Sequence, residues 1–214
     1  MPSILFKDFV DFQLELKSEK KRQFQKKDLK MQSVNTKPGF TSLFNGKDLT
    51  GWVGDPGLWK VEDSILVGRT TKNLSHNDFL RTEKEYANFA FTCETRLQGY
   101  NSGIQFRSLV QEDGHMAGYQ ADIGDHCWGA LYEEMLRGHL VHYQPEIVES
   151  VLNENDWNQY QILAVDDHIL QILNGVVTAE LDDPAGARSG LIGLQIHSGP
   201  PQEVAFRNLF IKEF

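Results

Sequence analysis

The sequence predicts an all-β protein, folded as a two-sheet sandwich or jelly roll. About a dozen short segments alternate apolar and polar residues with the period of two that strands require. Turn signals such as Asn174-Gly175 separate these segments, and helical periodicity is almost absent. With 214 residues, of which 40% are hydrophobic, the chain is long enough for one domain with a sizeable core.

The strands can be placed in order from their alternation and their flanking turns. The first ends in a turn at residues 45–46, and the hairpin that follows turns at residues 62–64. Alternation is cleanest in residues 89–97, and residues 136–155 are expected to form an irregular loop. The predicted strands are 40–46, the hairpin 58–68, 79–82, 89–97, 103–108, 118–123, 130–134, the hairpin 157–173, 176–181, 190–197 and 204–214.

Residues 1–38 differ in charge from the predicted globular domain, 39–214. Residues 7–37 hold nine Lys and Arg against five Asp and Glu, a net charge of +4, whereas the whole chain carries −9. Leu5, Phe9, Phe12 and Leu16 fit a helical stripe, although part of this stretch also fits a strand. We expect an exposed helix or a loose extension without chemistry, and a docking or nucleic-acid-binding arm is the alternative.

Bulk composition argues against several classes of protein. The net charge of −9 argues against nucleic-acid binding, and no run approaches the roughly 20 apolar residues of a membrane span. The N-terminus lacks the pattern of a secretory signal peptide, and the compartment is left open. The oligomeric state is not predicted either.

Cys93 is expected to be a buried thiol. Neither it nor Cys127 has metal-site spacing, and a disulfide between them is left open.

Three separated segments each place two polar side chains opposite a row of apolar ones. The clearest is residues 101–108, where Ile104 and Phe106 alternate with polar neighbours, because successive side chains point to opposite faces of a strand. If the three strands belong to one sheet, their polar rows line one surface. The polar pairs are Gln105 with Arg107, Gln120 with Asp122, and Gln195 with His197.

Several stretches, in the same order, resemble the 3-keto-disaccharide hydrolase domain family. They are GFTSLFNGKDLTGW at 39–52, NSGIQFR at 101–107, GYQADI at 118–123, LYEE at 131–134, GLIGLQ at 190–195 and FRNL at 206–209. The resemblance covers about residues 39–214. It implies a sandwich of the concanavalin A-like lectin/glucanase type and hydrolysis of glycosides oxidised to a ketone at C3. It also implies a carbohydrate partner, and members of the family often carry export signals.

Candidate roles follow from the polar rows. Glu133 and Glu134 are adjacent, so they face opposite sides of a strand, and the apolar Leu131 puts Glu134 on the polar side with Tyr132. The predicted catalytic residues are Glu134, His197 and Arg107. The predicted substrate-binding residues are Gln105, Gln120, Asp122, Tyr132, Gln195 and His139. No cofactor is firmly predicted, but Asp122, Glu134 and His197 are the expected ligands if a divalent cation binds.

These roles predict an elimination mechanism. Glu134 or His197 removes the proton on C2, which the C3 ketone acidifies, and Arg107 or a bound cation stabilises the enolate. Departure of the group on C1 and addition of water then give net hydrolysis. The alternative is a carbohydrate-binding sandwich without catalysis, since the same fold serves both uses.

Overall fold

The computed structural model describes residues 39–214, which form two antiparallel sheets and confirm the predicted all-β sandwich. The extension predicted for residues 1–38 lies outside the described residues. In chain order the strands are β1 (Thr41–Ser42), β2 (Trp52–Val53), β3 (Trp59–Glu62), β4 (Ile65–Arg69), β5 (Asp78–Thr82), β6 (Phe89–Gln98), β7 (Asn101–Val110), β8 (Met116–Gly124), β9 (Leu131–Glu134), β10 (Gly138–Val141), β11 (Asn158–Val165), β12 (His168–Leu173), β13 (Val176–Asp182), β14 (Leu191–Ile196) and β15 (Glu203–Glu213). A single turn of helix, α1 (Pro145–Val148), lies between β10 and β11.

Each sheet mixes strands from distant parts of the chain. Sheet A has the order β13-β12-β11-β6-β15-β4-β3, and β1 pairs with β15 beside that path. Sheet B has the order β10-β9-β8-β7-β14-β5-β2. The strands that carry the three polar rows, β7, β8 and β14, are therefore neighbours in the middle of sheet B, which is the condition for a shared surface.

The core lies between the two sheets. Phe91 and Tyr160 on sheet A and Ile104 and Leu194 on sheet B have no exposed surface and belong to one apolar cluster. Burying side chains of this size stabilises the sandwich by about 1.5–3 kcal/mol each. The alternate residues of sheet B point away from this core, and we call that side the outer face of sheet B.

The segment predicted to be an irregular loop, residues 136–155, contains an additional strand and the short helix. β10 pairs only with β9, at the edge of sheet B, and its residues are half-buried or exposed. An edge strand of this kind has no alternation of apolar and polar residues, so periodicity alone does not reveal it. The helix begins with Pro145, which is favoured in a first helical turn.

Cys93 and Cys127 are both free thiols. Cys93 lies fully buried in β6, as predicted, and burial raises the pKa of its thiol. Among residues 39–214, no helix combines the length and the apolar character needed to cross a membrane.

Candidate active site on the outer face of sheet B

Most of the predicted site residues lie on the outer face of sheet B. Gln120 on β8 pairs with Gln105 on β7 and with Tyr132 on β9. Paired residues of antiparallel strands project to the same side, so these three side chains form one row across the sheet. Glu134 pairs with Gly118, two residues before Gln120, and shares that side.

Sheet B curls around this face. Asn77, just before β5, lies 3.5 Å from Glu134 on β9, measured from the side-chain amide nitrogen to a carboxylate oxygen. Three strands separate β5 from β9, and in a flat sheet four strand spacings would hold them about 19 Å apart. The contact therefore shows that opposite corners of sheet B converge and make its outer face concave. The polar side chains in the middle of that face become buried as a result.

Asp122 is the most strongly perturbed acid on this face. Only 6% of the residue is exposed, and loss of hydration raises the pKa of its carboxyl to about 7. A hydrogen bond from the Gln120 amide nitrogen, 2.8 Å from Oδ1, acts in the opposite direction, and the charge of Glu134 raises the pKa further. Asp122 can therefore gain or lose a proton near neutral pH.

Glu134 has a raised pKa for the same principal reason. Burial raises the pKa of its carboxyl, and nearby His197 and His115 partly offset this effect. The adjacent Glu133 points to the other side, where it forms an ion pair with Arg137. The alternation predicted for the two glutamates is thus observed.

His197 is held by its Nδ1 atom. This atom lies 2.7 Å from the carbonyl oxygen of Ser198 and 2.8 Å from the hydroxyl of Tyr100. A carbonyl oxygen can only accept, so Nδ1 carries a hydrogen in the neutral ring and Nε2 carries the lone pair. His197 can therefore present Nε2 as a base, or as a donor once the ring is protonated.

Gln195 has a fully buried side chain whose amide makes no hydrogen bond. Neither Oε1 nor Nε2 has a partner among the described residues, although the residue has no exposed surface. An unsatisfied buried amide costs free energy, and such groups in folded proteins usually have a bound water or ligand as partner. Gln195 therefore keeps unused hydrogen-bonding capacity beneath this face.

Tyr132 and His139 form the border of the face towards the sheet edge. They are cross-strand partners, and their rings meet edge to face with centroids 4.9 Å apart. His142 lies next to His139, with ring centroids 5.0 Å apart. This aromatic rim contains His139, which was predicted to bind substrate.

Arg107 is the exception, and the prediction that it shares the polar row is wrong. The pairing of β7 with β8 is irregular between Phe106 and Leu109, and Arg107 has φ = 48°. The irregularity turns its side chain off the outer face, and its guanidinium bonds to the carbonyl oxygens of three other segments. The acceptors are the backbone oxygens of Ala87, Asp166 and Ala187, together with the side-chain oxygen of Asn88. Arg107 therefore ties loops together and is not available to a ligand on the outer face.

The predicted metal ligands are not brought together either. Among residues 39–214 no three His, Cys, Asp or Glu side chains lie close enough to share an ion. Asp122 already accepts a hydrogen bond at Oδ1, and the Nδ1 atom of His197 faces a carbonyl oxygen. The three predicted ligands influence one another through charge only, so the expectation of a shared cation site on Asp122, Glu134 and His197 is not met.

Four residues at or beside this face were not singled out from the sequence. Asn77 and His115 lie in loops, so alternation gives no signal for them. Arg81 pairs with Gly193 and so lies on the outer face, where it makes no hydrogen bond or ion pair with any described residue. Ser108 bonds to Gln105 only because β7 is irregular. Residues 79–82 are Phe-Leu-Arg-Thr, two apolar residues followed by two polar ones, so alternation gives no signal for Arg81 either.

A separate cleft of about 380 Å³ lies against β3, β4 and the loop after β4. Its Arg69 is bonded to Glu62 and Glu203, and Lys60 and Lys72 also line it, so the lining carries a net positive charge. The cleft contains none of the predicted site residues and no buried acid. We therefore place the candidate site on the outer face of sheet B and not in this cleft.

The fold is shared with several solved structures. A candidate glycosyl hydrolase from Parabacteroides distasonis ATCC 8503 is 22% identical, with a TM-score of 0.62 over 82% of this chain and 94% of that one. The carbohydrate-binding module CBM66 from Bacillus subtilis is 17% identical, with a TM-score of 0.57 over 76% and 96%. The β-glucanase of Bacillus licheniformis is 10% identical, with a TM-score of 0.57 over 82% and 97%. At identities of 10–22%, these similarities show a shared fold only.

The sequence itself matches one family profile, and no curated protein matches the chain. The profile describes a 3-keto-alpha-glucoside-1,2-lyase-like domain, and it covers residues 39–212, which include every strand that forms the candidate site. This match agrees with the resemblance noted from the motifs. The chain belongs to the 3-keto-alpha-glucoside-1,2-lyase-like domain family.

Proposed function

We propose that the protein cleaves the glycosidic bond of 3-keto-glycosides or 3-keto-disaccharides. The family supports the substrate class, since its description names a 3-keto-alpha-glucoside. One observation carries the proposal. Two carboxyl groups with raised pKa values, Asp122 and Glu134, lie on one concave face with the unpartnered amide of Gln195. Acids perturbed in this way are characteristic of catalytic sites.

The reaction proceeds by elimination and hydration. The C3 ketone acidifies the hydrogen on C2, and a base removes it to give an enolate. Collapse of the enolate expels the oxygen substituent from C1, and that oxygen takes up a proton. Water then adds across the C1–C2 double bond, with its hydroxyl on C1 and a hydrogen on C2, so the net change is hydrolysis.

Glu134 is the base, and Asp122 is the acid. The charge of Glu134 raises the pKa of Asp122, so Glu134 ionises first and Asp122 still holds a proton near pH 7. Two carboxyl groups whose environments separate their pKa values can act as base and acid at the same pH. The Nε2 atom of His197 is the second candidate for the base, since no residue of 39–214 uses its lone pair.

The enolate oxygen needs hydrogen-bond donors that are already in place. The Nε2 group of Gln195 has two hydrogens and no partner among the described residues, which suits this role once the buried side chain turns towards the substrate. Arg107, the donor that the sequence predicts for this role, is excluded because its guanidinium is bound to backbone oxygens. Tyr132 and His139 at the rim, together with Arg81, which bonds to no described residue, are suited to contact the rest of the sugar or its substituent.

Turnover of an oxidised sugar tests the proposal. Release of the group on C1 is measured from a 3-keto-glucoside and from the unoxidised glucoside. We expect the wild type to release it from the first only. Glu134→Gln should lower turnover by about 10²–10⁴-fold without preventing binding. Glu133→Gln is the matched control, because its carboxylate faces the other side, and its turnover per folded molecule should be unchanged.

Two outcomes contradict the proposal. Wild-type turnover by both Glu134→Gln and His197→Ala would remove the assigned base. Binding of the 3-keto-glucoside without any turnover would identify a carbohydrate-binding sandwich that performs no chemistry.

A further inference from the structure

A chain of side-chain hydrogen bonds ends on Asp122. The Ser108 hydroxyl donates to Oε1 of Gln105 at 2.6 Å, and Nε2 of Gln105 donates to Oε1 of Gln120 at 2.8 Å. Nε2 of Gln120 then donates to Oδ1 of Asp122 at 2.8 Å. Ser108 and Gln105 have no exposed surface, and Gln120 is 3% exposed. The side chains of these three buried residues thus form an unbroken series of hydrogen bonds that ends on Oδ1 of Asp122.

The direction of this chain follows from its end. When Asp122 is ionised its oxygens only accept, so the Gln120 atom that then faces it is the nitrogen, and the Gln120 oxygen faces Gln105. The same argument turns the Gln105 nitrogen towards Gln120 and its oxygen towards Ser108. Each group polarises the next in the same sense, and such aligned bonds strengthen one another.

Glycines in the backbone leave room for this line of hydrogen-bonded side chains. Gly103, the cross-strand partner of Asp122, lies beneath the Gln120 side chain, and a Cβ atom there would stand 2.4 Å from Cδ of Gln120. A Cβ atom on Gly118 would stand 2.4 Å from the Ser108 hydroxyl oxygen. The irregularity in β7 that removes Arg107 from the face also brings Ser108 to Gln105, three residues earlier.

The other ionisable groups around Asp122 are few. Glu134 and Tyr132 face it from β9, Cys127 from the connection before β9, and Tyr160 from β11. The pKa values of Tyr132, Cys127 and Tyr160 are raised, mainly by burial, so these groups stay neutral near pH 7. Glu134 is therefore the only other charged group in this set, and Gln120 is the only described residue that donates a hydrogen bond to the carboxyl group.

We propose that Ser108, Gln105 and Gln120 form a relay that positions the Asp122 carboxyl group and places its exchangeable proton on Oδ2. Oδ1 is occupied by the Gln120 donor, so the protonated acid carries its hydrogen on the other oxygen. The relay also stabilises the charged form against the cost of burial, so Asp122 can release its proton and take it up again. Gln105 and Gln120, predicted to bind substrate, are thereby positioning residues. The catalytic meaning of the relay rests on the proposed function, whereas its existence does not.

Carboxyl-detected NMR titration of the full chain tests the relay without substrate. In the wild type, the side-chain amide signals of Gln120 and Gln105 should shift with the same midpoint as the Asp122 carboxyl carbon. Gln120→Met removes the last donor, so it should raise that midpoint by about one pH unit, because a charge-assisted hydrogen bond is worth about a factor of ten. Ser108→Ala should raise the midpoint in the same direction by less. Ser102→Ala, which removes an equally buried hydroxyl on the same strand, should not change it.

The relay is overturned if the two amides do not titrate with Asp122, or if Gln120→Met and Ser108→Ala both keep the wild-type midpoint. The wild-type measurement keeps the test valid if a variant fails to fold. If the Asp122 titration midpoints are as expected but the protein does not turn over a 3-keto-glucoside, the relay is supported and the proposed function is refuted.

Discussion

Arg107 is 1% exposed, and each of its four hydrogen bonds goes to a segment other than its own strand. Burial lowers the pKa of its guanidinium, which is the expected direction for a cation without a carboxylate partner. Its bonds reach the loop before β6, the β11–β12 turn and the loop before β14. Arg107 therefore connects the ends of both sheets, and its hydrogen bonds stabilise the folded state.

Arg107→Met keeps the aliphatic stem and removes every donor. The backbone oxygens of Ala87 and Ala187 lose the donor that Arg107 supplies, and that of Asp166 keeps only Arg188. We therefore expect a loss on the order of 3 kcal/mol in the free energy of unfolding, measured by urea denaturation. Turnover per folded molecule should be retained. Arg81→Met, which breaks no hydrogen bond to a described residue, is the control. Equal stability of the two variants would contradict the structural role of Arg107.

Alternation along the strands was enough to predict several of the site residues from the sequence. It gave Asp122, Glu134 and Gln195 the correct side, because β8, β9 and β14 are regular where these residues lie. It failed for Arg107 because one irregular pairing in β7 changes which side the following residues face. No local signal marks such an irregularity, which lies where other segments approach β7 closely. Gly190, for instance, packs so tightly that a Cβ atom there would lie 2.5 Å from the Arg107 carbonyl carbon.

At the scale of elements, β7 and β8 provide the centre of the site. Their pairing sets Gln105 beside Gln120 and Gly103 beside Asp122. Gly103 leaves room for a side chain from the neighbouring strand, so its role depends on tertiary packing and could not be predicted from turn chemistry. The sequence showed a glycine in a strand, which indicates a close approach without saying of what.

Gly103→Ala tests the contribution of this strand pair. The new methyl group would displace the buried Gln120 side chain and remove the hydrogen bond to Asp122, so we expect turnover of a 3-keto-glucoside to fall by about tenfold. The pH at which Asp122 titrates should rise as well. Gly57→Ala, in a loop away from the site, is the control. Unchanged turnover and titration in Gly103→Ala would show that the site does not require this packing.

Across the whole molecule, the curl of sheet B gives the outer face its chemical properties. The convergence of Asn77 and Glu134 buries carboxyl groups that a flat sheet would leave hydrated. The sequence predicted two sheets and one polar surface. It could not predict the curl or the raised pKa values, because both depend on contacts between strands that are far apart in the chain.

Burial of Asp122 makes stability depend on pH with a definite sign. Its pKa rises from 3.8 in the unfolded chain to about 7 in the folded protein, so the folded state holds the proton more tightly. The free energy of unfolding should therefore fall as pH increases from about 4 to about 7. Asp122→Asn cannot ionise, so its stability relative to the wild type should increase by a few kcal/mol between pH 4 and pH 8. Urea denaturation at both pH values measures this, and an equal difference at the two would contradict the burial of a titrating acid.

The role proposed for Glu134 is removal of the proton from C2 of a 3-keto-glycoside. The most direct measurement uses a 3-keto-glucoside with deuterium at C2, in water, with wild type, Glu134→Gln and the Glu133→Gln control. With the wild type and Glu133→Gln we expect either loss of deuterium to solvent or a primary isotope effect on turnover, and with Glu134→Gln neither signal beyond background. Turnover by the wild type that retains the deuterium and shows no isotope effect would contradict it, and so would a wild-type rate of C2 exchange in Glu134→Gln.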